Sequence, residues 1–222
     1  MKKLILLLSF IWITPKLSAQ NCGFLVFSPN AEIEMTHYDK NGEESMKTIT
    51  KVLAVNGNEA KVSNRMVNKK GKEMNTSEGV YRCVNGTFSF DVKTMMPQDQ
   101  AANMNNMEVK TEPVYLEFPS SLQVGNTLND ANMTMEMYSG GMKIMTMTFN
   151  ITNRKVEGQE SITTPSGTYN CYKISNDFRM KTMFAFEGRS MTWFSPGIGI
   201  VKTETYKGDK AIGSSQLTRV AK

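Results

Sequence analysis

The 222-residue chain carries 26 Lys+Arg against 21 Asp+Glu, a single histidine, three cysteines and 18 methionines. That length supports one domain, or two small ones, with a core large enough to fold without metal or dense disulfides. One histidine excludes the familiar zinc sites built on two or three. The densest basic group, Lys69-Lys70-Gly71-Lys72, reads as a solvated hairpin tip, so the patterned basic surface of a nucleic-acid binder is absent.

Residues 1–20 read as a secretory signal peptide. Lys2 and Lys3 form its basic start, residues 4–13 its apolar run, and Ala19 or Gln20 the cleavage point. The apolar run is half of the ~20 residues a membrane span needs. No later stretch approaches that length, so no transmembrane segment is expected once the signal is cut. Losing Lys2, Lys3 and Lys16 leaves 23 basic against 21 acidic residues, a net charge of +2. The expected location is the periplasm or the medium, where disulfides persist. Cys22, Cys83 and Cys171 allow at most one internal bridge. A Cys22–Cys83 pair would tie down an end that otherwise frays, leaving Cys171 as a buried thiol. Two residues separate Ala19 from Cys22, which does not match a lipidation signal.

Residues 21–222 are expected to form one β-rich domain. Residues 31–38 alternate and stop at Asp39-Lys-Asn-Gly42, a strand and its hairpin turn. Residues 45–55 and 59–68 follow as strands around Asn56-Gly57-Asn58; Ala60, Val62, Asn64 and Met66 share one face of the second. Residues 80–84 and 87–93 flank Asn85-Gly86, the strongest hairpin signal in the chain. Phe88, Phe90 and Val92 mark the latter strand's buried face. From 94 to 108 the alternation stops; a long methionine-bearing loop is expected, with a short helix over 98–107. Residues 109–118 resume as a strand, and 119–130 cross to the second half.

Residues 131–150 form a hairpin about Gly140-Gly141. Met133, Met135 and Met137 lie on one face, while Met145 and Met147 are expected on the opposite one. Residues 151–206 continue with turn clusters at Glu157-Gly158-Gln159, Pro165-Ser-Gly167, Glu187-Gly188-Arg189 and Pro196-Gly197. Residues 213–220 make a last strand. The expected fold is all-β: a single-domain antiparallel meander of roughly a dozen strands, curled into an open barrel, half-barrel or two packed sheets. Two halves could meet near 94–130.

No nucleophile elbow, phosphate loop or dinucleotide fingerprint is present, and His37 is the one candidate base for a Ser or Cys nucleophile. The expected protein is not an enzyme and has no cofactor. Methionine is the anomaly. Its flexible thioether suits an irregular core or an adaptable apolar surface. The competing reading is soft-ligand binding of Cu(I) or Ag(I), with Met133, Met135 and Met137 as ligands.

ITNRKVEG at 151–158, PSGTYNCYKI at 165–174 and WFSPGIGIVK at 193–202 resemble a family of exported Gram-negative proteins, called TapB-like or grouped with a domain of unknown function. PSSLQVGNTL at 119–128 and YDKNG at 38–42 fit the same family. The resemblance implies a periplasmic or secreted β-rich domain and transfers no catalytic residue. The same motifs also serve as turns, and Trp193 as a core or rim anchor. The function expected is binding of a lipid or small apolar ligand on a curved sheet, with residues 94–108 as a flap. The alternatives are an envelope protein-interaction module and the Cu(I)/Ag(I) binder.

Overall fold

The structure, a computed structural model, describes residues 23–95 and 108–222. Thirteen strands form one sheet, all antiparallel: β1 (Glu32–Asp39), β2 (Glu44–Asn56), β3 (Glu59–Asn68), β4 (Glu73–Val84), β5 (Thr87–Asp91), β6 (Glu108–Thr111), β7 (Tyr115–Phe118), β8 (Ala131–Ser139), β9 (Met142–Thr164), β10 (Gly167–Lys181), β11 (Ala185–Ser195), β12 (Gly199–Lys207) and β13 (Lys210–Ala221). The only helix among the described residues is two short 3-10 turns, Leu25–Phe27 and Val92–Met95. The expected helix over 98–107, and the flap built on it, lie outside the described residues.

The strand order is β6-β8-β9-β10-β11-β12-β13-β1-β2-β3-β4-β5-β7. It is a meander whose two ends meet in mid-sheet, where β13 pairs β1. The stretches before and after residues 94–130 therefore join in one sheet. The stretch 109–118, expected as one strand, is two short ones at opposite edges: β6 pairs β8 and β7 pairs β5. Pro113 is the physical reason. It has no N–H to give a ladder, and it restricts the residue before it.

Four residue steps separate Thr111 from Tyr115, a reach of at most ~14 Å for extended chain. The two edges of a thirteen-stranded sheet are thus brought side by side without pairing. The sheet curls almost all the way round and leaves a seam. Residues following β7 close part of that seam by pairing with the middle of β9: Gly125 N–H donates to the Val156 carbonyl at 2.8 Å, Val156 N–H to Asn126 and Leu128 N–H to Arg154, both at 2.9 Å.

One end of the curled sheet is plugged. Phe24 and the 3-10 turn behind it are buried, and Leu25 N–H donates to the Gly197 carbonyl at 2.8 Å. Phe24 stacks on Phe88 of β5, and Phe118 of β7 stacks on Phe194 of β11, each pair with ring centroids 4.2 Å apart. Strands from opposite walls of the curl meet in this stack. The other end carries the turns at 40–43, 69–72, 140–141, 182–184 and 208–209, and no such plug among the described residues.

Local chemistry explains most of the hairpins. Asn85 (φ 50°) and Gly86 (φ 78°) hold the doubly left-handed turn that Asn-Gly favours. Two expected turns are strand interior instead: Gly158 lies in β9 and Gly188 in β11. At Gly188 the reason is close approach. A Cβ there would sit 2.8 Å from the Phe178 ring across the strand pair and 2.3 Å from the Tyr206 carbonyl oxygen. The real turn is at 182–184.

β8 and β9 pair out of the simple hairpin register. Met135 stands opposite Met147 and Met137 opposite Met145, so all share the inner face with Met133. Counting across the Gly140-Gly141 turn would put Met145 and Met147 on the other face. A register shift between Met137 and Tyr138 reverses that parity, because one extra residue flips every side chain beyond it.

Candidate functional site: the concave face

Two adjoining cavities lie on the concave face. The larger, about 510 Å³, is walled by Ile33, Met35, Met46, Met66, Tyr81 and Phe90. A polar line crosses it: His37, Thr48, Thr50, Asn64, Ser77 and Ser215. Register builds the line in two parts: Ser215 stands opposite His37 across β13 and β1, and Thr50, Asn64 and Ser77 stand opposite one another across β2, β3 and β4, with Thr48 between the two parts. No charged side chain lines this cavity among the described residues. His37 Nε2 lies 2.9 Å from the Thr48 hydroxyl, and burial holds the ring below its ordinary pKa, favouring neutral imidazole. Thr50 donates to Asn64 Oδ1 at 2.7 Å, while Asn64 Nδ2 is buried without a partner. Burial pushes the Tyr81 hydroxyl up to about 12.

The smaller cavity, about 310 Å³, is lined by Phe118, Phe149, Ile151, Ile174, Phe178 and Met180, with Phe186 at the rim. Asn176, Ser190 and Thr192 add hydroxyl and amide groups, and Arg154 is its one charge. Ile200, Thr203 and Thr205 of β12 belong to both cavities, so the two spaces meet there.

Arg154 points inward because β9 is bulged. Strict alternation from the buried Ile151 would send residue 154 outward. Asn153 takes a left-handed conformation (φ 53°), the register against β10 shifts there, and Ile151, Arg154 and Val156 are all buried. Arg154 is 2% exposed. Its guanidinium donates from one terminal nitrogen to the Asn129 carbonyl at 2.7 Å and from the other to the Glu117 carbonyl at 2.9 Å. Its carbon sits 5.1 Å from the Phe118 ring centroid. Burial pulls its pKa down to about 10, partly offset by Asp130 and Glu117. It remains a cation at neutral pH. Arg154 falls inside a stretch singled out from sequence, yet nothing local marks its direction beyond Asn153, a residue type that tolerates φ > 0.

The residues proposed from sequence fall elsewhere. Met133, Met135 and Met137 are buried in the hydrophobic core with Met147, and Met145 packs against it. Cys83 is buried; its expected partner Cys22 lies outside the described residues. Cys171 is a free, buried thiol, and burial, with Glu160 nearby, pushes it up to about 11. Trp193 is 4% exposed and anchors the outer face. Its indole N–H donates to Glu160 at 2.6 Å, and Lys202 lies over its ring at 4.6 Å. Among the described residues no helix is long and apolar enough to cross a membrane.

The fold has solved counterparts. A family model described as DUF3108-like matches residues 30–217. The chain belongs to the DUF3108-like family. A crystal structure from Bacteroides fragilis NCTC 9343, described as an exported protein with a YmcC-like fold, superposes with a TM-score of 0.72 at 20% identity, covering 90% of this chain and 99% of that one. One from Parabacteroides distasonis ATCC 8503, described as a lipoprotein, gives 0.72 and 20% over 90% and 98%. At that identity the likeness is one of fold. Comparison with curated proteins returns no match. The narrower TapB-like resemblance rests on the quoted motifs alone.

Proposed function

We propose that this chain is a non-catalytic exported envelope protein that holds an apolar ligand against the concave face of its curved sheet. The observation that carries this reading is the pair of adjoining cavities, about 510 and 310 Å³, whose apolar walls are supplied mainly by Met, Phe and Ile side chains. These volumes fall in the range of small-molecule sites. One end is plugged and the other carries no such plug among the described residues, which gives a ligand a way in. Structural neighbours described as an exported protein and a lipoprotein support the envelope setting. The test is native mass spectrometry of protein purified from its host's envelope, paired with uptake of the apolar dye N-phenyl-1-naphthylamine. A retained apolar mass or saturable dye fluorescence is expected. A clean apo mass together with no dye uptake would overturn the reading.

A second reading is an envelope interaction module. Met183 and Phe184, 84% and 81% exposed, project at the β10–β11 turn, and Met142, 72% exposed, lies at the same end of the sheet. Crosslinking in the envelope that returned no specific partner would count against it.

A further inference from the structure

We propose that the smaller cavity takes a single-chain amphiphile with an anionic head, the head on the Arg154 guanidinium and the chain along Phe149, Phe178 and Met180 toward the β10–β11 turn. This rests on the concave-face reading above and gives its ligand a chemical class.

The first support is an uncompensated charge. A guanidinium on a side chain buried as deeply as Arg154, 2% exposed, loses hydration, which is costly unless an opposite charge or full hydrogen bonding replaces it. Arg154 has five N–H donors, and its protein hydrogen bonds go to two carbonyls. None of the ion pairs among the described residues includes it. Asp130 and Glu117 act on it only from longer range, and the Glu117 carboxylate instead accepts a hydrogen bond from Asn129 at 2.9 Å. The site therefore has donors to spare and wants an anion. A carboxylate fits the planar fork of a guanidinium through two parallel hydrogen bonds.

The second support is the surroundings. Beyond Arg154 the cavity is apolar on most sides, with Phe178 and Phe186 at 5.6 Å forming its outer part. A small hydrophilic anion would leave those walls wet. A straight acyl chain covers them. The third support is the bulge. A non-glycine residue with φ 53° is uncommon backbone, and here its effect is to turn a cation into the cavity. The larger cavity offers no charged side chain among the described residues, so an anionic head has one place to go.

The test titrates the wild-type protein calorimetrically with decanoate and with decan-1-ol at pH 7.5. Decanoate is expected to bind at least tenfold more tightly. Carboxyl-¹³C decanoate should keep its ionised chemical shift in the complex well below the pH at which the free acid protonates. Arg154→Gln should bring decanoate down to the affinity of the alcohol and leave the alcohol unchanged, and Arg154→Lys should keep part of the preference. Equal affinities for the two wild-type ligands, or a bound carboxyl that titrates as free acid, would overturn the proposal while the apolar-ligand reading stands. Binding of neither ligand would overturn the proposal, and the apolar-ligand reading would then be decided by its own mass-spectrometry and dye-uptake test. The wild-type comparison and the ¹³C shift need no variant, which matters because Arg154 also holds the Asn129 and Glu117 carbonyls.

Discussion

The curl of the sheet makes a demanding prediction at Phe194. The ring is 1% exposed and lies on β11, yet it stacks on Phe118 of β7 at 4.2 Å and approaches Phe24 and Phe88 at 5.7 and 5.9 Å. β11 and β7 are not neighbours in the sheet. Phe194→Ala should therefore cost about 3–5 kcal/mol, the range for a buried aromatic truncated in a core. For a domain of this size that is a fall in Tm of roughly 6–20 °C, at about 2–4 °C per kcal/mol. The sharper test is the double-mutant cycle with Phe118→Ala, read from urea denaturation at constant m value. Stacked rings contribute about 0.5–1.5 kcal/mol beyond area burial, so the two substitutions should fall short of additivity by about that much. Additivity within about 0.3–0.5 kcal/mol is the signature of residues that do not touch. That result would mean the two walls do not meet, and the curl would be refuted.

Three further outcomes are expected. Mature protein should show no thiol reacting with Ellman's reagent at pH 8 when folded, because Cys171 is buried with its pKa pushed up to about 11; the Cys22–Cys83 pair expected from sequence predicts one thiol per chain when denatured, and three would remove that pair. His37 is held below its ordinary 6.5 by burial, so the unfolded chain takes up a proton that the folded one refuses. Stability should be full above pH 6.5 and decline below it, by at most about 1.4 kcal/mol per pH unit for one proton. Urea midpoints between pH 7.5 and 5 should show that slope, and His37→Gln should flatten it; an unchanged slope would assign it to other groups. Silver(I) titration should give no stoichiometric uptake by the folded protein, because Met133, Met135 and Met137 are 1%, 8% and 2% exposed within the core. Saturable one-to-one uptake would restore the soft-metal reading.

Local chemistry wrote most of the fold into the chain. Alternation in Phe88–Phe90 and the Asn85-Gly86 turn made β4 and β5 legible, and the same features gave the antiparallel class. What stayed hidden has a common cause. A β-bulge adds one residue, and one residue reverses every face beyond it. The shift at Met137 moved Met145 and Met147 inward, and the shift at Asn153 did the same for Arg154. Neither bulge is announced by hydrophobic pattern. The division of β6 from β7 was signalled by Pro113, but their placement at opposite edges depends on closure of the whole sheet. The concave polar line was partly visible, since Asn64 alternates with Val62 and Met66 on β3. Its partners lie on β1, β2, β4 and β13, and only the strand order brings them together.

Arg154 shows how the seam and the candidate site are one problem. β7 is an edge strand, and the Glu117 carbonyl on it takes a donor from across the seam, on β9. The Asn129 carbonyl, in the crossing segment, takes a second. Two carbonyls need two N–H groups, and the neutral amide of a glutamine carries two. A cation at that depth brings a desolvation penalty that an amide does not. Holding the seam therefore explains why a donor is there, and it leaves unexplained why the donor is charged and has N–H groups left over. A ligand that supplies the missing negative charge accounts for both, and it places the head of that ligand beside the one junction where the sheet fails to close on itself.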